Sequence, residues 1–252
     1  MALLARTIRK APARRPAWTA PAVTLAGGAA CLRLGETFVA ALPEGALWVE
    51  SARTLIVSDL HLEKGAAFAR KGQMLPPYDT RVTLARLAAL IARLKPAFVV
   101  SLGDSFHDAH GPALISDEDA EALLALTRAC DWLWVLGNHD PALPAWLGGS
   151  RAESVAVETL TLRHEPIPGA APGEIAGHLH PCAKIFGRGR SVRRRCFATD
   201  GQRLVMPAFG AFTGGLNLCD EAFAPLFPHG ALALAMSKDR VLPAPPERLL
   251  AD

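Results

Sequence analysis

Asp59 and His61 stand two residues apart, Asp104 follows Gly103, Asn138 and His139 lie within Gly137-Asn138-His139-Asp140, and His178 and His180 form another i, i+2 pair behind Gly177. Carboxylate, imidazole and amide donors without a thiolate suit Mn²⁺, Fe or Zn²⁺, and oxygen-rich sites lean toward Mn²⁺. An extended backbone puts alternate residues on one face, so Asp59 and His61 are expected side by side. Two divalent ions bring about +4, the two aspartates return about −2, and the surplus seats a phosphate and a bridging hydroxide. Each piece alone reads as an ordinary turn. Together, in this order, they point to a dinuclear metal site that hydrolyses phosphate esters.

The elements that must position these residues follow one pattern, in which an apolar, β-prone run ends abruptly in a possible ligand. Leu55-Ile56-Val57 runs into Asp59 and His61, Phe98-Val99-Val100 into Asp104, and Leu133–Leu136 into Asn138. Leu160–Leu162 runs into His164, and Ile175-Ala176 into His178 and His180. Helices separate the first three runs. Over 80–95, Leu84, Leu87, Ala88, Ile91 and Leu94 keep helical spacing until Pro96. Over 116–129, Ser116 and Asp119 resemble a capping box. Strand–helix–strand units followed by strands from about 155 to 236 predict an α/β layered sandwich, with ligands at neighbouring carboxyl ends meeting in one crevice. Earlier, Val23–Val49 reads as strands with tight turns. Residues 1–20 read as a flexible basic arm and 21–252 as a single domain.

The bulk numbers narrow the class. In 252 residues, 50% hydrophobic and 20% charged, a well-buried core is attainable and a disordered chain is excluded. No uncharged apolar run reaches about 18 residues, so no membrane span is expected. Five cysteines without a C-x-x-C pair fit a reducing compartment, and the expected localisation is cytoplasmic. The net charge of +3 conceals two patches: Arg6, Arg9, Lys10, Arg14 and Arg15, and Arg188, Arg190, Arg193, Arg194 and Arg195. Taking those ten from 27 basic residues leaves 17 against 24 acidic ones, so positive potential is local, as in a protein that meets a polyanion. The second patch reads as a hairpin turn plus strand; its arginines either hold DNA phosphates or form a solvated face. Arg70 and Lys71 raise the same alternatives, and Pro207–Gly215 reads as a structural turn.

The five blocks between positions 59 and 180 resemble the signature of the calcineurin-like metallophosphoesterase superfamily. That resemblance implies a four-layer sandwich, two β-sheets flanked by helices. It implies that Asp59, His61 and His180 hold one metal, that Asn138, His164 and His178 hold the other, and that Asp104 bridges them. His139 would then protonate the leaving alkoxide or steady the transition state, with the bridging hydroxide as attacker. Asp140 either orients His139 or caps the turn. His107, in Gly103-Asp104-Ser105-Phe106-His107, is similar to a block of the superfamily's DNA nucleases; it either contacts the phosphodiester or bonds a backbone carbonyl.

Longer strings resemble a narrower family, the ligase-associated DNA damage response endonucleases (PdeM). They include Asp59-Leu-His-Leu-Glu-Lys-Gly, Leu75-Pro-Pro-Tyr-Asp-Thr and Pro207-Ala-Phe-Gly-Ala-Phe-Thr-Gly-Gly. This resemblance implies a Mn²⁺-dependent DNA phosphodiesterase, associated with an ATP-dependent DNA ligase, a helicase and an exonuclease. Two other readings stand beside it: a small or cyclic nucleotide phosphodiesterase, and a non-catalytic metal-bound repair scaffold.

Overall fold

The computed structural model describes residues 19–139, 141–187 and 189–252. Most of the basic arm expected at 1–20, and with it Asp140 and Arg188, lies outside the described residues.

Two sheets carry the chain. In the first half, β1 (Val23–Ala26), β2 (Ala29–Leu34), β3 (Thr37–Ala41) and β4 (Leu47–Val49) precede β5 (Thr54–Ser58). Then come α1 (Lys64–Arg70), α2 (Asp79–Leu94), β6 (Phe98–Leu102), α3 (Gly111–Leu114), α4 (Asp117–Ala129), β7 (Asp131–Val135) and β8 (Ser150–Ala152). These strands form one eight-stranded sheet in chain order, antiparallel up to β5 and parallel from β5 to β8. In the second half follow β9 (Ser154–Val157), β10 (Leu160–Arg163), β11 (Glu174–Ala176), β12 (Cys182–Gly187) and β13 (Arg190–Thr199). The chain ends with β14 (Arg203–Val205), β15 (Leu232–Met236), β16 (Val241–Ala244) and β17 (Leu249–Leu250). The second sheet runs β16-β15-β13-β14-β11-β10-β9, with β12 and β17 continuing beyond β13.

Burial explains the layering. All five residues of β5 are buried because both faces of the strand are covered. Ile56, with Val100 and Val135, packs between the sheets against Leu162, Ile175, Phe197 and Leu234. Leu55 and Val57 face the other way, onto Leu84, Leu87 and Leu90 of α2 and Leu123 of α4. The outer face of the second sheet is covered more thinly, by a 3-10 turn at Glu221–Phe223 with Leu226 and Phe227.

Helix boundaries follow local chemistry. The Ser116 hydroxyl accepts the Asp119 amide at 3.2 Å and caps α4, as the capping-box spacing predicts. α2 starts after Pro76-Pro77-Tyr78 and stops at Lys95, a left-handed residue before Pro96. Among the described residues, no helix is long and apolar enough to cross a membrane. The five cysteines are free, and Cys182 and Cys196 are buried.

Candidate metal centre

Parallel pairing brings the chemistry together. Because β5, β6 and β7 are parallel neighbours, the loops after Ser58, Leu102 and Val135 emerge from one edge. β10 and β11, also parallel, deliver His164 and the Gly177–His180 loop from the second sheet. Backbone hydrogen bonds lace the loops: Asp59 N donates to Gly103 O at 3.3 Å, His61 N to Asp104 O at 2.9 Å, and Gly177 N to His164 O at 2.9 Å.

The loops are not extended, which corrects the reasoning that paired Asp59 with His61. Both lie in the left-handed region, φ 53° and 44°, as do Asp104 (46°), His178 (67°) and His180 (45°). A non-glycine residue held there costs of order 1–3 kcal/mol, so five in one centre are kept by their surroundings. Gly177 shows how tight those surroundings are: a side chain there would collide with the Ser58 hydroxyl and the Asp59 carboxylate.

Two donor groups result. In the first, His180 Nε2 lies 3.0 Å from Asp59 Oδ1 and 3.3 Å from His61 Nε2. In the second, His164 Nε2 lies 2.9 Å from Asn138 Oδ1, 3.2 Å from His178 Nδ1 and 3.4 Å from Asp104 Oδ1. Asn138 Oδ1 is also 3.0 Å from His178 Nδ1. Asp104 turns one oxygen to each group, Oδ1 toward His164 and Oδ2 toward His61 at 4.0 Å. The structure thus brings together all seven residues expected from the sequence as ligands.

The fit to cations can be tested on the donors themselves. His164 Nδ1 is 3.0 Å from the Leu102 carbonyl, which can only accept, so that nitrogen carries a proton and Nε2 is the one turned to the centre. Nε2 faces the Asn138 carbonyl oxygen and the Asp104 carboxylate, both acceptors. A cation placed among these atoms would satisfy all of them at once. Ligands about 2.1 Å from one ion stand about 3.0 to 3.4 Å apart around it, which matches the spacing in each group. Protonation suits this too. Burial holds the His61 imidazole neutral, pushed down to about 3, and burial lowers His178. Burial opposes ionisation of Asp59, but its hydrogen bond and charge interaction with His180 lead the opposing effects and hold the carboxyl below its usual range. These residues could hold two divalent ions, with Asp104 between them.

His139 stands beside the centre rather than in it. Its amide donates to Asp104 Oδ1 at 3.0 Å, and its Nδ1 donates to the His107 carbonyl at 2.7 Å. That bond leaves Nε2 facing the centre, 3.9 Å from Asp104 Oδ2, on a side chain 42% exposed. The His107 ring packs 5.6 Å from His61 and 5.9 Å from His139, with Phe68 on its other side, and burial first, then Lys64, lowers its pKa. Among the described residues its buried Nδ1 has no hydrogen-bond partner, a backbone carbonyl included. An open cleft of about 490 Å³ adjoins the second group, lined by Asn138, Glu153, Arg163, His164 and Glu165.

The arginine patch divides. On the β12–β13 hairpin Arg193 and Arg194 pair with Lys184 and Ala183 and so take opposite faces. Arg193 donates to Gly215 O at 2.9 Å and Arg195 to Ala208 O at 3.0 Å, both into the 208–215 segment. Arg190 and Arg194 stay exposed. Arg70 is bonded to Asp108 at 2.7 Å, and Lys71 is exposed.

Missed from the sequence were Ser58, whose hydroxyl donates to Asp59 Oδ2, and the backbone role of His107. A serine closing a buried strand beside a ligand carries little signal, and a carbonyl carries none.

Residues 52–192 match the calcineurin-like phosphoesterase family model. The crystal structure of the nuclease MPE of Pseudomonas putida is similar over 86% of this chain and 100% of that one, at 26% identity and a TM-score of 0.65. The Escherichia coli phosphoesterase Yfce aligns over 75% of this chain and 96% of its own, at 16% identity and a TM-score of 0.40. No curated protein sequence matches. With its matched segment covering more than half its length, this chain belongs to the calcineurin-like phosphoesterase family and is a metal-dependent phosphoesterase.

Proposed function

We propose that the protein is a Mn²⁺-dependent phosphodiesterase that cleaves DNA as an endonuclease of DNA repair, within the ligase-associated group whose strings its sequence resembles. The observation that carries it is the pair of donor groups sharing Asp104, with His139 poised outside them. The likeness to a nuclease over that protein's whole length supports nucleic acid as substrate. The oxygen donors of Asp59, Asp104 and Asn138 favour Mn²⁺ over softer metals. Two divalent cations there would offset phosphate charge and supply a nucleophile at neutral pH.

The chain's own residues do the rest. Asp59, His61 and His180 form one ligand group, and Asn138, His164 and His178 the other. Asp104 keeps the two in register and accepts the His139 amide, which fixes the imidazole's position. With Nδ1–H tied to the His107 carbonyl, a proton on Nε2 points into the centre and can pass to the leaving oxygen. The His107 side chain, with Lys64 beside it, offers a second contact for a phosphodiester. Exposed Arg190 and Arg194 would hold DNA phosphates further away, making affinity salt-dependent. A DNA ligase, a helicase and an exonuclease are the partners this reading expects.

Protein loaded with Mn²⁺ should cleave bis-p-nitrophenyl phosphate and oligonucleotides. His139→Ala should lower kcat about 10²- to 10⁴-fold with metal content unchanged. A wild-type protein with both metals bound but inert on every diester would overturn the reading.

A further inference from the structure

Phe212 breaks two local rules at once. It is a bulky residue in the left-handed region, φ 57°, where such side chains are outliers, and it is 51% exposed. Neither burial nor backbone ease accounts for it, and such strain, when kept, concentrates at working sites.

The loop that carries it is fastened at both ends to the metal centre. On the leading side, Phe209 N donates to Ser58 O at 2.7 Å and Gly210 N to the carbonyl of Asp59 at 3.1 Å. Gly210 lies so close to the Asp59–Leu60 backbone that a side chain would collide with it. On the trailing side, Leu216 N donates to Leu179 O at 3.4 Å, between His178 and His180, and Gly215 sits against the His180 carbonyl. The tip is braced too: Ala211 N donates to the Thr83 hydroxyl at 3.0 Å, and Arg193 and Arg195 bond the carbonyls of Gly215 and Gly210. A rigid arch therefore spans from Asp59 to His180, two residues of one donor group, and displays a single aromatic ring to solvent.

We infer that Phe212 is a stacking platform for a nucleobase flanking the scissile phosphate, a residue that determines specificity without taking part in the chemistry. The inference rests on the nucleic-acid reading above. Base–aromatic stacking is strong and tolerant of sequence, so one exposed ring on a loop fastened to the centre at both ends would place the substrate chain without selecting a base. The strained backbone then serves to aim the ring.

The test compares the Mn²⁺-loaded full-length wild type with Phe212→Ala, Phe212→Trp and Phe212→Gly. Substrates are an ordinary single-stranded oligonucleotide and one with abasic residues around the cleavage position. Phe212→Ala should raise KM on the ordinary oligonucleotide about tenfold and leave kcat within about twofold. Phe212→Trp should keep the wild-type KM, and on the abasic oligonucleotide wild type and Phe212→Ala should be equal. Phe212→Gly should lose binding equally while melting no lower than wild type, since glycine adopts this conformation freely. A wild-type KM in Phe212→Ala, or a loss that persists undiminished on the abasic substrate, overturns the inference and leaves the nucleic-acid reading standing. A wild type that cleaves bis-p-nitrophenyl phosphate but no oligonucleotide overturns both.

Discussion

At the scale of single residues, the centre is a study in how lone pairs are kept pointing inward. Asp59 is the clearest case: the Ser58 hydroxyl donates to Oδ2, the His178 amide is shared between Oδ2 at 3.1 Å and Oδ1 at 3.3 Å, and Oδ1 faces His180. Partners behind a ligand typically change metal affinity about 10- to 100-fold. Ser58→Ala should weaken Mn²⁺ binding by that factor in a calorimetric titration with the fold intact, and an unchanged affinity would show the hydroxyl to be incidental. His164 is oriented by the Leu102 carbonyl and His139 by the His107 carbonyl. The ligands' types and order were legible in the sequence; their orientation was not. Spacing suggested an extended pair at Asp59 and His61, whereas both residues are left-handed, a conformation enforced by bonds to Gly103 and Asp104, over forty positions away. Arg195 shows the opposite failure. Its place in a basic run suggested either phosphate binding or a solvated face, yet its guanidinium is part-buried and bonded to the Ala208 carbonyl.

At the scale of elements, hydrophobic patterning did most of the positioning. The largely apolar and buried β5, β6 and β7 can satisfy both faces only between helices and a second sheet, and their parallel pairing puts their carboxyl ends on one edge. That logic was readable from Leu55-Ile56-Val57, Val99-Val100 and Leu133–Val135. The thin cover over the second sheet was not, because Glu221–Phe223 has no helical period to announce it. Helix α4 serves the site only as support, so a defect in it should separate stability from activity. Ser116→Ala removes the α4 cap and should cost about 1 kcal/mol in a urea titration with kcat unchanged. Lost activity at full stability would mean that α4 has a part in the site not described above.

For the whole molecule, the metal centre joins the two sheets: the first supplies Asp59, His61, Asp104 and Asn138, and the second His164, His178 and His180. Ions held by both halves would stabilise the folded chain by mass action, since they bind the assembled centre and not the unfolded chain. Chelation should therefore lower Tm by several degrees, with recovery on adding Mn²⁺; at 100-fold excess over Kd the gain is about 2.7 kcal/mol. An unmoved Tm would mean that the apo centre is already relaxed.

The central claim is that two ions sit on seven donors and share one carboxylate. Crystals soaked in Mn²⁺ and measured at an anomalous wavelength test it most directly. The account predicts two peaks about 3.5 to 4 Å apart, one among Asp59, His61 and His180, the other among Asn138, His164 and His178, with Asp104 reaching both. A single peak, or two peaks with Asp104 contacting neither or only one, would contradict it.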